Sequence, residues 1–241
     1  MSSYESVSSW KQAAPASTST QRTELISSIA KQICRLSDKR IRVAIDGFPA
    51  SGKTVFADEL AGMIRKLNRP TLRTSLDDFK HPWRDAREKG YDRITGFGYY
   101  KNAPDFESTI NLLLRPAGSE GSGSVVLCAF DPLTGVDCRD VYVEAPDNSI
   151  LLVDSMFAFR PEYNEFWDFR IWLDIPPALS LSRGIERDKE SEGLAAAESV
   201  HRYRYHEAEK MYLTEVNPLS LANLVINNTD YERPTIIGSL N

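Results

Sequence analysis

Cysteine and histidine are scarce in this chain of 241 residues, with three of each. Cys34, Cys128 and Cys138 form no C-x-x-C pair and are odd in number, which argues against a disulfide framework and suits packing roles in a reducing cytosol. His201 and His206, five residues apart on a predicted helix, do not share a face and make no metal pair. Residues 1–20 are rich in Ser, Thr and Ala and lack a signal-peptide core, and no segment approaches the ~20 apolar residues of a membrane span. Basic runs are missing too: 29 Lys and Arg against 34 Asp and Glu give a net charge of −5, so nucleic acid is not an expected partner. With 41% apolar residues, the chain can bury the core of one cytoplasmic α/β domain over residues 21–241, behind a disordered tail over 1–20.

The segment Ile41-Arg-Val-Ala-Ile-Asp-Gly-Phe-Pro-Ala-Ser-Gly-Lys-Thr54 is an apolar strand running into the pattern G-x-x-x-x-G-K-[ST]. In such a loop, Gly47, Phe48, Pro49, Ala50, Ser51 and Gly52 offer successive backbone N–H groups to nucleotide phosphates at a helix N-terminus. Lys53 supplies a mobile positive charge for the β- and γ-phosphates, and Thr54 a hydroxyl for Mg²⁺. The context the motif needs is present, because Val55, Phe56, Leu60, Met63, Ile64 and Leu67 follow at helical spacing.

Strands and helices alternate along the rest of the chain. Leu25, Ile26, Ile29, Ile33 and Leu36 mark a helix before the loop. After Pro70, Thr71 to Leu76 is a predicted strand ending in Asp77-Asp78-Phe79. Lys80 to Pro104 is polar and aromatic, too long for a plain connector. A helix is expected from about Asp105 to Leu114. Val125 to Phe130 and Val141 to Ala145, on either side of Asp131-Pro-Leu-Thr-Gly135, predict a small hairpin attached to the main sheet. Ile150 to Asp154, Phe169 to Asp174 and Leu224 to Asn227 are further strands, the last being the final one expected. Strands interleaved with helices imply a parallel sheet covered on both faces, with ligands beyond the carboxyl ends of its strands.

Strand-end acids therefore matter. Asp154 closes an apolar run as a Mg²⁺-holding carboxylate does. Asp77 ends a neighbouring strand, where it could take the proton from an acceptor hydroxyl and join Thr54 and Asp154 at the metal, while Asp78 could cap the following turn. Asp174 precedes Pro176-Pro177 and ends a strand before a proline-initiated helix. Arg183 and Arg187 share one face of that helix and could bind phosphate oxygens. The charged segment Glu186 to Gly193 suits a lid within about 180–200. His81 lies beside the end of the second strand, next to an acceptor pocket.

Gly47 to Thr54, Ser75-Leu-Asp-Asp-Phe79, Val153-Asp-Ser-Met-Phe157, Arg160-Pro-Glu, Trp167 to Asp174, Ser182 to Asp188 and Ile226-Asn-Asn-Thr-Asp230 together resemble the uridine kinase-like branch of the P-loop kinases, over about residues 40 to 235. The resemblance implies a three-layer α/β/α P-loop fold with a five-stranded parallel sheet, and ATP or GTP as phosphoryl donor. It assigns Asp77 as the base for the acceptor hydroxyl, Thr54 and Asp154 as Mg²⁺ ligands, and Arg183 and Arg187 as phosphate contacts.

The acceptor end departs from that family. Asn102 stands where uridine kinases carry the ribose-gripping aspartate, Phe130-Asp-Pro-Leu-Thr-Gly135 replaces the hairpin that reads the pyrimidine, and Gly184 replaces a lid arginine. Losing several hydrogen-bonding partners in one pocket weakens recognition by ~1–3 kcal/mol each. The acceptor pocket is accordingly expected around Asp77, His81, Tyr99, Tyr100, Lys101 and Phe130, with Lys101 favouring a negatively charged acceptor. The expected partner is a small hydroxyl-bearing molecule, a nucleoside first and a sugar, vitamin or other alcohol next; self-association stays open. A regulatory NTPase is the competing class, and the chain carries neither N-K-x-D nor D-x-x-G.

Overall fold

A computed structural model describes residues 4–13 and 17–239. Strand β1 (Tyr4–Glu5) comes first, then helix α1 (Thr20–Cys34), which starts at Ser19, whose side chain accepts the Arg22 N–H. β2 (Ile41–Gly47) leads through the glycine-rich loop into α2 (Lys53–Lys66). β3 (Thr71–Ser75) runs into a 3₁₀ turn, Leu76–Phe79. The long polar stretch folds as two short helices, α3 (Trp83–Glu88) and α4 (Gly96–Asn102). α5 (Phe106–Ser108) widens into π-helical turns over Thr109–Leu114. The expected hairpin is a short antiparallel pair, β4 (Ser124–Val126) with β5 (Tyr142–Glu144), which forms a sheet of its own and is not attached to the main one as expected. β6 (Ile150–Asp154), α6 (Pro161–Asn164), β7 (Phe169–Asp174), α7 (Pro177–Glu192) and α8 (Leu194–Ser199) follow. Further π-helical turns over Val200–Tyr205 join α9 (His206–Val216), and β8 (Leu224–Asn227) and β9 (Thr235–Ser239) complete the described chain.

The main sheet has the order β1-β3-β6-β2-β7-β8-β9. Its inner five strands, β3 to β8, are parallel, as expected of a P-loop fold. Alternate residues on each strand face opposite sides, and both sides are buried. Val43, Ile45, Ile150, Leu152, Ile171 and Leu173 pack with α1 and α2 in one core. Ala44, Leu151, Val153 and Trp172 point the other way, into a core with Phe157, Tyr100 and Tyr212. β2 lies between β6 and β7, so the phosphate loop leaves the centre of the sheet with Asp154 and Leu173 as register neighbours of Ile45 and Gly47.

Two differences lie at the sheet edges. Leu224–Asn227 is not the last strand, because β9 returns antiparallel to it, with a register shift between Val225 and Ile226. Residues 4–13 are not a free tail: β1 pairs in parallel with β3, Ser6 donates its hydroxyl to Asp78 at 2.8 Å, and Ser9 gives its N–H and hydroxyl to Asp131 at 2.6 and 2.8 Å. Residues 1–3 and 14–16 of that expected tail lie outside the described residues. The low apolar content hid this segment, since hydrogen bonds to two carboxylates hold it rather than a hydrophobic stripe.

A chain lacking residues 1–12 should therefore show a Tm lower by several degrees and faster proteolysis around Asp131. An unchanged Tm and an unchanged cleavage pattern would show that the segment adds nothing to the fold.

Candidate functional site

The phosphate loop is shaped by its backbone. Gly52 sits at φ +89° immediately before α2, a left-handed conformation that costs glycine little. Lys53 is buried, and its Nζ folds back onto the carbonyls of Gly47 and Phe48 at 2.9 and 2.6 Å. Burial lowers the Lys53 pKa from its ordinary value, while the charges of Asp46, Asp154, Asp77 and Glu209 act to raise it. A nucleotide phosphate entering the loop would offer this ammonium a full charge in place of two carbonyl dipoles.

Beneath the loop lies Asp46, fully buried. It accepts the N–H groups of Gly47, Phe157 and Phe159 at 2.7, 3.2 and 3.3 Å and the Tyr212 hydroxyl at 2.5 Å. Phe157 stands at φ +77°, a strained position for a side chain of that size. Burial pushes the Asp46 carboxyl up to about 6 despite these donors. A carboxylate interrupting the apolar run of β2 was the available signal for this anchor.

The Thr54 hydroxyl donates to Asp154 Oδ2 at 2.8 Å, and Arg73 Nη2 lies 2.6 Å from Asp154 Oδ1. A hydroxyl and a carboxylate at the mouth of a phosphate cradle are the hard oxygens that Mg²⁺ takes beside phosphate and water, so Thr54 and Asp154 fit that ion. Asp77, expected as a third ligand, pairs here with Lys80, its Oδ1 2.5 Å from the ammonium, and among the described residues no cluster of three His, Cys, Asp or Glu that could hold a metal forms. Nor does Asp78 cap the turn; the Ser75 hydroxyl accepts the Asp77 N–H instead.

Asp77 opens onto a cleft of about 380 Å³, shared with His81, Tyr99, Phe130 and Tyr205, room for a small metabolite. Burial would raise the half-exposed Asp77 carboxyl, but the Lys80 ammonium, with Lys53 and Arg187, brings it below its ordinary value. It is thus ionised at neutral pH and can receive a proton. Lys80 also donates to the Tyr99 hydroxyl at 2.5 Å, and burial holds the His81 imidazole below its usual range.

Other expected site residues go elsewhere. Tyr100 is fully buried against Phe157 and beneath Arg160, inside the core. Lys101 points out of the cleft, 3.3 Å from Glu215, on the far side of α4. Consecutive helical residues diverge by about 100°, so Tyr99, Tyr100 and Lys101 cannot share one pocket. Arg183 donates to the Thr229 carbonyl at 2.7 Å and braces the loop whose Asn228 reaches the Ser51 carbonyl at 2.7 Å. It supports the phosphate loop from behind. Arg187 pairs with Asp188 at 2.6 Å and lies close enough to Asp77 for their charges to interact.

The expected lid is helical in α7 and α8. Asp188 bonds the buried His201 ring at 2.7 Å. A Cβ on Gly184 would lie 2.2 Å from that ring, so the glycine in place of a family arginine makes room for His201. Glu209, also missed in the sequence, is buried with its Oε1 unpartnered and Oε2 3.3 Å from His206. Burial pushes its carboxyl up to about 8, offset in part by Lys53.

No family model matches the chain. A uridine kinase from Lactobacillus helveticus is 22% identical over 170 residues, 69% of this chain and 76% of that protein. The fold superposes on a possible uridine kinase from Bacillus stearothermophilus with a TM-score of 0.62 at 23% identity, covering 84% of this chain and 97% of the other. A candidate fructose transport system kinase from a Silicibacter species gives 0.65 at 19% identity, over 79% and 95%. The likeness is to the uridine kinase-like branch of the P-loop kinases.

Glu209 makes stability depend on pH. Its folded pKa of about 8 lies above the ordinary 4.5, so its contribution is complete below about 4.5 and is lost as pH rises toward 8. Glu209→Gln should remove that part of the slope and leave the variant more stable than the parent by about 1–4 kcal/mol at pH 9. Urea unfolding from pH 5 to 9 measures it, and parallel curves for the two proteins would show that Glu209 does not titrate in this way.

Proposed function

We propose that this chain transfers the γ-phosphoryl group of ATP to a hydroxyl of a small metabolite held in the cleft before Asp77. The observation that carries the reading is the placement of two unlike halves. A phosphate cradle with Lys53, Thr54 and Asp154 stands at the end of β2 and β6, and an aromatic cleft with an ionised carboxylate stands at the end of β3. The acceptor oxygen attacks the γ-phosphorus as the bond to the β,γ-bridging oxygen breaks; ADP leaves with that electron pair, and the hydroxyl proton passes to Asp77. Lys53 moves from loop carbonyls to the phosphates. Bound Mg²⁺ would neutralise charge on the β- and γ-oxygens, held on the protein side by Thr54 and Asp154. Arg187, next to Asp77, is placed to face the transferring group, and Arg183 acts by positioning the loop at Asn228.

A nucleoside is the first acceptor class, by likeness to the uridine kinases. A second class, a sugar or other polyol, is favoured by Phe130-Asp-Pro-Leu-Thr-Gly135, in which Phe130 and Gly135 stand where uridine kinases carry the tyrosine and histidine that read the pyrimidine.

Asp77→Asn should leave ATP binding nearly intact and reduce acceptor-dependent ADP formation by about 10²-fold or more. Lys53→Ala should weaken ATP binding and turnover together, because it meets the donor phosphates before and during transfer. Undiminished turnover in Asp77→Asn would remove that residue from the chemistry.

A further inference from the structure

The cleft in front of Asp77 contains cationic groups without counter-ions. Arg93 is only 4% exposed, one Nη donates to the His81 carbonyl, and its Nε has no hydrogen-bond partner. Its guanidinium lies 4.4 Å over the Trp83 ring, and that of Arg204 lies 5.4 Å from the same ring centroid. Both line the cleft. Neither forms an ion pair among the described residues, although Asp92 lies near enough to feel the Arg204 charge.

The neighbouring acids are already occupied. Asp92 accepts the Ile94 and Thr95 amides and the Thr95 hydroxyl. Asp77 is bound by Lys80, and Asp131 by the turn and Ser9. Arg84, at the rim, lies 3.5 Å from Asp85. Two like charges held over one ring, one of them buried with an empty donor, are costly unless an anion joins them. Burial first, and then the Arg204 charge, hold the Arg93 guanidinium below its ordinary range.

We infer that the acceptor carries an oxyanion, a carboxylate or a phosphate ester, seated on Arg93 and Arg204 while its hydroxyl faces Asp77. The inference rests on reading the cleft as the acceptor site. A planar guanidinium meets either oxyanion with paired N–H donors. The anionic preference expected of Lys101 thus falls to Arg93 and Arg204, which the sequence did not single out.

The test uses the full chain and matched ligands: glycerol, glycerate and glycerol 3-phosphate, then ribose, ribonate and ribose 5-phosphate. Calorimetric Kd values are measured at fixed ionic strength, alongside ADP formation from Mg·ATP. In at least one series an anionic member should bind about tenfold or more tightly than its neutral parent. Arg93→Gln and Arg204→Gln should each remove most of that preference, with the Kd for ATP unchanged, and Arg93→Lys should retain part of it. Arg204, partly exposed, serves should Arg93→Gln fail to fold. Comparing the carboxylate with the phosphate arm tells which oxyanion fits. Equal binding of neutral and anionic members, no binding by any member, or a preference that survives both glutamine variants would overturn the inference. An arginine-dependent preference without ADP formation would support the anion site while sinking the phosphoryl-transfer reading.

Discussion

The site depends on one buried carboxylate. Asp46 ends the central strand and collects donors from the phosphate loop, from the turn after β6 and from α9. A charge at that depth is tolerated only when its lone pairs are filled, so the three segments must stay in register around it. The strained backbone at Phe157 is held by the same oxygen that receives the Gly47 N–H. Through Tyr212 the anchor also reaches α9, which carries Glu209 toward Lys53. The glycine-rich loop, the turn after β6 and α9 are therefore positioned from one point.

Around that anchor, charge is arranged in two zones. In the phosphate loop the carboxylates Asp46, Asp154 and Asp77 surround a single lysine and oppose the effect of its burial, while Glu209, held largely protonated, lies near it. In the cleft before Asp77 lie Arg93 and Arg204, which form no ion pair among the described residues, with Asp92 close enough to feel the Arg204 charge. Asp77 stands at the boundary and is kept ionised by Lys80. The segment at residues 4–13 reaches the cleft side through Asp78 and Asp131 and also faces Thr54 and Arg73, and the Asp78 carbonyl in turn receives the Ala129 and Phe130 amides.

The strand, loop and helix over residues 41–66 were legible in the sequence because their geometry is local. A strand, a glycine-rich loop and a helix are contiguous, and Asp154 follows from the same strand-end rule. The five inner strands were legible for the same reason, each being an apolar run with a terminal polar residue. The acceptor half is assembled from segments far apart in the chain, from the 3₁₀ turn, α3, α4, the loop after β4 and the turns before α9. Helical phase, invisible when neighbours are picked by sequence adjacency, sent Tyr100 and Lys101 away from the cleft that Tyr99 lines. Arg93 sat in a stretch without periodicity, and β1 carries too few apolar residues to announce a strand. Arg183 matched a motif but binds backbone, because Asn228 and Thr229 come between it and the loop.

The most direct measurement is the fate of the label from γ-labelled Mg·ATP in the presence of small hydroxyl compounds. The account predicts that the label appears covalently on an organic acceptor in amounts equal to the ADP formed, with little inorganic phosphate. Label released as inorganic phosphate at a rate indifferent to every acceptor would contradict it and make the protein a nucleotide hydrolase rather than a kinase.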